Sequence, residues 1–410
     1  MITRRAFLKN GAMAVVGTAA VPSFLTRAAW GVVNPASNKR LVVIFQRGAA
    51  DGLNIVVPHG ESAYYALRPT ISIPRNAVLD LDGFFGLHPS LAPLQTIWNQ
   101  KHLAIVHAAG SPDPTRSHFD AQDFMESGTP GVKATEDGWL NRSLHTIRAS
   151  DSPFRAVAMG PSIPRILSGP EAVVAINNIN DFGVGGRNGK TSPIENSFEA
   201  MYAGSVDAVL HGSAEETFDA VKMLKSANPE QYTPASGVTY PRGRFGEGLK
   251  QLAQLIKANL GVQVAFADIG GWDHHVNEGS TEGQIANVLR DFGQSLASFW
   301  TDLGDLAEDT VVVTMSEFGR TVHENGNRGT DHGHANVMFV LGGPVRGGRV
   351  YGRWPGLNSS ELYEARDLAV TTDFRTVLAE LVQRQLNGSD MSAVFPGFKN
   401  DQRSFLGLIA

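Results

Sequence analysis

Seven short apolar runs punctuate the chain, at 41–46 (LVVIFQ), 103–108 (LAIVHA), 155–159, 172–176, 262–268 (VQVAFAD), 310–315 (TVVVTM) and 337–341 (VMFVL). Most are continuous rather than alternating, the pattern of strands covered on both faces. Helical patterns lie between them at 89–99, 119–127, 194–225, 245–260, 281–306 and 374–386. The clearest is 281–306, where Ile285, Leu289, Phe292, Leu296, Phe299 and Leu303 share one stripe. Strands alternating with helices predict an α/β fold: a mostly parallel sheet sandwiched between helices. The stretch 183–261 opens with GVGGRNGKT and then holds long helical patterns without an obvious strand. It reads as a helical insertion or cap on one α/β domain spanning 40–410.

The first residues read differently. Arg4 and Arg5, followed by Phe7, Leu8 and Lys9, precede an apolar Gly/Ala-rich run that ends in small residues near Ala28 and Ala29. This is the layout of a secretory signal over residues 1–29, and the paired arginines look like the twin-arginine export signal. Removing it takes Arg4, Arg5, Lys9 and Arg27 from 35 basic residues, leaving 31 against 40 acidic ones, net −9. A folded, exported protein in the periplasm or outside the cell is expected, with the twin-arginine machinery as its export partner. Pro22 interrupts the apolar run and no later segment is apolar enough to span a bilayer, so no membrane span is expected after cleavage. The acidic balance argues against nucleic acid as a partner. With no Cys, zinc–thiolate sites, iron–sulfur clusters and cysteine nucleophiles are excluded.

Candidate chemistry concentrates late in the chain. Five of 12 His (His274, His275, His323, His332, His334) fall between 274 and 334, and four of them sit in two tight clusters, GGWDHH at 270–275 and TDHGHAN at 330–336. Asp beside neutral imidazole suits a divalent metal, here one or two ions with zinc or manganese favoured and calcium admissible. Asp51, Asp273 and Glu317 each follow a predicted strand, where ligands bind in parallel sheets, and acids converging at one rim call for a cation among them. Ser117 precedes a predicted helix in PTRSHFD and is the candidate nucleophile, although Ser-x-x-Asp is equally a helix cap. Arg47, Arg116 and Arg320 each stand near a candidate acid as possible oxyanion clamps or structural partners. His118 and His274 are the candidate proton donors. GGRNGKT lacks the first glycine of a phosphate loop, since Val184 stands in its place, and neither G-x-S-x-G nor H-E-x-x-H occurs.

Together the twin-arginine start, LVVIFQRGAADGLN, SPDPTRSHFDAQDFMESG, GGWDHH, SEFGRT and TDHGHAN resemble the bacterial family known as domain of unknown function 1501. That family is similar in fold to the alkaline phosphatase and sulfatase superfamily, with metal ions at the carboxyl rim of the sheet. By that resemblance Asp51 is the first-strand ligand and Ser117 the nucleophile. Asp273, His275 and Glu317 follow as ligands, with His332 or His334 as the late one and Asp331 as a further candidate. Where the superfamily usually has Asp-His or Asp-Asn after a strand, this chain has Glu317-Phe318. The resemblance implies a metal-dependent hydrolase of phosphate or sulfate esters, including small anionic esters and sulfated or phosphorylated glycans. The competing expectation is a non-catalytic periplasmic protein that keeps the fold and binds a partner.

Overall fold

The computed structural model describes residues 38–148, 150, 152–179, 223–224 and 232–410. The expected signal, the loop GVGGRNGKT and nearly all of the helix expected at 194–225 lie outside them. Each of the seven apolar runs forms a strand of one sheet: β1 (Arg40–Gln46), β5 (Leu103–Gly110), β6 (Ala156–Met159), β7 (Val174–Ile176), β8 (Val264–Ile269), β9 (Thr310–Met315) and β10 (Asn336–Gly342). The short β11 (Arg349–Tyr351) and β12 (Thr372–Asp373) join it, both pairing with β5. A second, small sheet is made of β2 (Val56–Val57), β4 (Gly86–Leu87) and β3 (Leu79–Asp80).

The strand order is β11-β5-β10-β9-β1-β8-β6-β7. Leu41 of β1 sits between Val264 of β8 and Val311 of β9, in parallel register on both sides. Among the described strands of this sheet only β10 runs against its neighbours, with Val340 opposite Val313 and Asn336 opposite Ala109. The sheet is therefore mostly parallel, as expected, with one reversed strand. That reversal matters for the site. The start of β10 lies at the same rim as the ends of β1, β5, β8 and β9.

Alternate residues of each strand face opposite helical layers. Val42 and Ile44 join a core with α1 (Ala92–Asn99), α4 (Arg244–Lys257) and α5 (Gln284–Leu303). Leu41, Val43 and Phe45 join a second core with α2 (His118–Ser127), α3 (Trp139–Thr146) and α6 (Phe374–Arg384). Both cores are fully buried, which is why the strand runs are continuously apolar. Helix α4 was expected to close the 183–261 insertion. It packs on β8 and β6 and along α5, so this part of the stretch belongs to the helical layer of the sheet itself.

Candidate metal centre

Five loops meet at the carboxyl rim: 47–51 after β1, 111–117 after β5, 270–275 after β8, 316–320 after β9 and 331–335 before β10. Glycines let them pack backbone to backbone. Gly48 has φ +117°, and a Cβ there would lie 2.9 Å from the Asp273 backbone nitrogen. A Cβ on Gly333 would lie 2.3 Å from the Arg320 carbonyl carbon. Asn336, at the head of β10, donates from its amide to the carbonyls of Ala50 (2.9 Å) and Phe318 (2.8 Å), tying three of these loops together.

His118, Asp273 and His332 present ligand atoms that all lie within 4.8 Å of one another. His332 Nε2 is 3.0 Å from His118 Nε2 and 2.9 Å from His275 Nε2. The Asp273 carboxylate lies 3.1 Å from His275 Nε2, 3.6 Å from His332 Nε2 and 3.7 Å from His118 Nε2. The opposite ring nitrogens are all held. His118 Nδ1 meets Glu317 Oε1 at 2.8 Å, His275 Nδ1 meets Asp331 Oδ1 at 3.0 Å, and His332 Nδ1 meets the Arg116 carbonyl at 2.8 Å.

These contacts fix the tautomers. Carboxylate and carbonyl oxygens only accept, so in the neutral ring each Nδ1 carries the proton and each Nε2 a lone pair. Burial drives the Glu317 and Asp331 carboxyls upward. Bonds from His118, Gln122 and the Gly48 N–H outweigh it for Glu317, and His275 and Asn325 do so for Asp331, so both are held below the usual range and stay ionised. Burial and the Arg320 charge lower His332, against the raising effect of its bond to the Arg116 carbonyl, and so favour its neutral form. Asp273 is likewise lowered, burial being outweighed by Arg320 and the adjacent imidazoles.

Three lone pairs and a carboxylate converging at this distance repel one another unless a cation lies among them. Zinc bonds of about 2.0–2.2 Å place tetrahedral ligands roughly 3.3 Å apart, close to the spacings seen. Imidazoles oriented by carboxylates or backbone carbonyls are also how metal-binding histidines are usually braced. The donor set therefore fits one divalent cation, and its nitrogen-rich character suits zinc far better than calcium, which takes oxygen ligands.

The other residues singled out from the sequence lie elsewhere. Asp51 is fully buried and bonded through both carboxylate oxygens to Arg68 Nη1 and Nη2. Arg68 is equally buried, and spends its remaining donors on Asn54 and on the carbonyls of Thr321 and Val322. Burial and the Asp51 charge raise the neighbouring Glu278 carboxyl well above its ordinary value, so it is a neutral donor to Asp51. Asp51 thus already has its cation.

His334 Nε2 bonds to the Ser111 carbonyl at 3.0 Å, with its ring against Tyr363. The buried His274 is bonded to the Gly271 backbone. Glu317 and Asp331 stand one bond behind the imidazoles, and His118, expected as a proton donor, stands among the converging nitrogens. Ser117 caps α2, accepting from the Asp120 N–H at 3.5 Å. Phe318, at the position of the missing imidazole, packs under His118 and His332 with ring centroids 5.0 and 5.1 Å away.

All three arginines are committed. Arg320 is buried and donates to the carbonyls of Gly48, Ala49, Trp272 and Thr330, and to Asp273 Oδ1 at 2.5 Å. Arg47 pairs with Glu126 and Asp268, and Arg116 with Asp367 and Glu364.

A family model described as "Protein of unknown function (DUF1501)" matches residues 38–395. The chain belongs to that family. No curated protein sequence matches it. Among solved structures this DUF1501 chain is similar to the PsFucS1 sulfatase from Pseudoalteromonas sp., at 12% identity over 98% of this chain and 78% of that one, TM-score 0.41. It is also similar to the C-terminal periplasmic domain of EcEptC from Escherichia coli in complex with Zn, at 11% identity over 88% of each chain, TM-score 0.38. The phosphonate monoester hydrolase of Agrobacterium radiobacter matches at 10% identity over 88% of this chain and 78% of that one, TM-score 0.35. Among the described residues no helix is long and apolar enough to cross a membrane.

Proposed function

We propose that this DUF1501 chain is an exported, metal-dependent hydrolase of phosphate or sulfate esters, built around one divalent cation held by His118, Asp273, His275 and His332. The observation that carries this reading is the clustering of the His118, His275 and His332 Nε2 atoms beside the Asp273 carboxylate, with every Nδ1 anchored from behind. A bound cation there polarises an ester oxygen and lowers the pKa of a water.

The chain's own groups do the rest. Glu317, Asp331 and the Arg116 carbonyl hold the imidazole protons on Nδ1, so the Nε2 lone pairs stay aimed at one point. Arg320 fixes Asp273 through its 2.5 Å bond and ties three loops to one guanidinium. Ser117 adjoins His118 at the start of α2, where the helix N-terminus favours an anionic group. The nucleophile is either its hydroxyl or a water, and Ser117→Ala tells them apart: retained turnover assigns the water, lost turnover the hydroxyl. A signal over residues 1–29, export by the twin-arginine route and a periplasmic or secreted location complete the reading. A sulfated or phosphorylated glycan is among its candidate substrates.

Metal content by mass spectrometry, on protein purified without tag or chelator, tests the centre. About one equivalent of zinc or manganese is expected, together with turnover of nitrophenyl phosphate or sulfate. No stoichiometric metal after incubation with either cation overturns the reading. Bound metal without turnover of any ester leaves a metal-binding protein and removes the hydrolase.

A further inference from the structure

Large apolar side chains that stand out in solvent are few among the described residues: Phe119 at 89% exposure, Val276 at 50% and Val132 at 47%. Phe119 directly follows His118, and Val276 directly follows His275. Val132 precedes Lys133, whose ammonium bonds Asp120, the next residue after Phe119, at 2.7 Å. Phe119 and Val276 are thus each one residue from an imidazole of the centre, and Val132 is tied to the start of α2 through Lys133. An unpartnered phenyl ring at this exposure has no packing role in the fold.

Charge around the centre points the same way. Asp273, Glu317 and Asp331 set three carboxylates beside Arg320, whose guanidinium bonds Asp273, an excess of two negative charges among these four groups that a divalent cation just cancels. Arg47, Arg116 and Lys133 are already paired with carboxylates. A dianionic phosphate monoester would bring two charges beyond that balance, whereas a monoanion brings one.

We infer that the centre takes monoanionic esters carrying an apolar ring, and that Phe119 is the platform on which the ring stacks, with Val276 and Val132 extending the apolar border. This rests on the metal-centre reading and narrows its substrate class. Phe119 is a specificity-determining residue; it positions the organic group and leaves the reacting atoms to the metal centre.

The test is titration calorimetry of the zinc-loaded protein with benzenesulfonate and methanesulfonate, which share a monoanionic head that cannot be hydrolysed. Phenylphosphonate in alkaline buffer supplies the dianion. Benzenesulfonate should bind about five- to tenfold tighter than methanesulfonate, the scale of one aromatic stacking contact. Phe119→Ala should erase that ratio and Phe119→Trp should retain it, and the exposed site makes both variants foldable. An unchanged ratio in Phe119→Ala overturns the platform. Tighter binding of the dianion overturns the charge preference. Ring-dependent binding without turnover of nitrophenyl esters upholds this inference while removing the hydrolase. Turnover of nitrophenyl phosphate without ring-dependent binding does the reverse.

Discussion

Two carboxylate clusters sit at the same rim of the sheet, and they solve the same electrostatic problem in opposite ways. Around Asp51 the cation is part of the chain: Arg68 takes both carboxylate oxygens, and Glu278 is kept neutral by burial and by its charged neighbour. Around Asp273 the side chains surrounding the acid are mostly imidazoles, and their free nitrogens point inward and remain within reach of solvent. An acid at the end of a parallel strand is thus no sign of a metal by itself. What decides is whether its partners leave a cation-shaped gap or fill it.

That contrast can be broken most severely at the open cluster. Asp273→Ala or His332→Ala should abolish stoichiometric metal binding while leaving the fold intact, as read by metal analysis beside circular dichroism. Retained metal in both variants would disprove the ligand set.

At the closed cluster the effect should fall on stability. Arg68→Met leaves Asp51 buried without its cation, and loss of one member of a buried pair costs about 3–5 kcal/mol. Urea unfolding should show that loss, and metal content of the folded fraction should not change.

A smaller effect is expected behind the imidazoles. Glu317→Gln and Asp331→Asn remove the charge that orients His118 and His275, and metal affinity should fall roughly 10- to 100-fold. Competition with a chelator of known affinity measures it, and an unaltered affinity would place these acids outside the centre.

The mildest change concerns protons. The folded protein holds Glu278 protonated above its ordinary pKa, so its contribution to stability is full in acid and is lost as pH rises through the raised value. Glu278→Gln keeps a neutral donor and should remove this penalty. The variant should melt above the wild type in mildly alkaline buffer, with the gap closing as pH falls below the ordinary carboxylate range. A gap independent of pH would show that Glu278 is ionised in the fold.

Much of the architecture was legible because burial on both faces forces continuous apolar runs, and every such run became a strand. The sense of β10 was not. VMFVL is apolar throughout and carries no mark of strand direction, and its reversal shows only in its antiparallel pairing with β9 and β5. The short β2, β3, β4, β11 and β12, at two or three residues each, are too brief to carry a period. At the site, the Asp-His clusters around 273 and 332 come together, along with Glu317 and Asp331. His118 was legible as chemistry but not as one of the converging nitrogens, since its partners lie about 200 residues away. Arg68 and Glu278 carry no local signal at all. Their significance exists only once Asp51 is beside them.

The reversed strand has a further consequence, for the order in which the molecule is put together. Among the described residues, β5, β11 and β12 reach the rest of the sheet only through β10. His118 follows β5, whereas Asp273 and His275 follow β8, so the two halves of the centre meet only when β10 has seated between β9 and β5, bringing His332 with it. Contacts of such sequence separation form late, after the loop-closure entropy has been met. A cation bound by all four residues then recognises the finished sheet and none of its precursors. It would act as a seal on correct assembly, stabilising the completed chain in proportion to how tightly it is held.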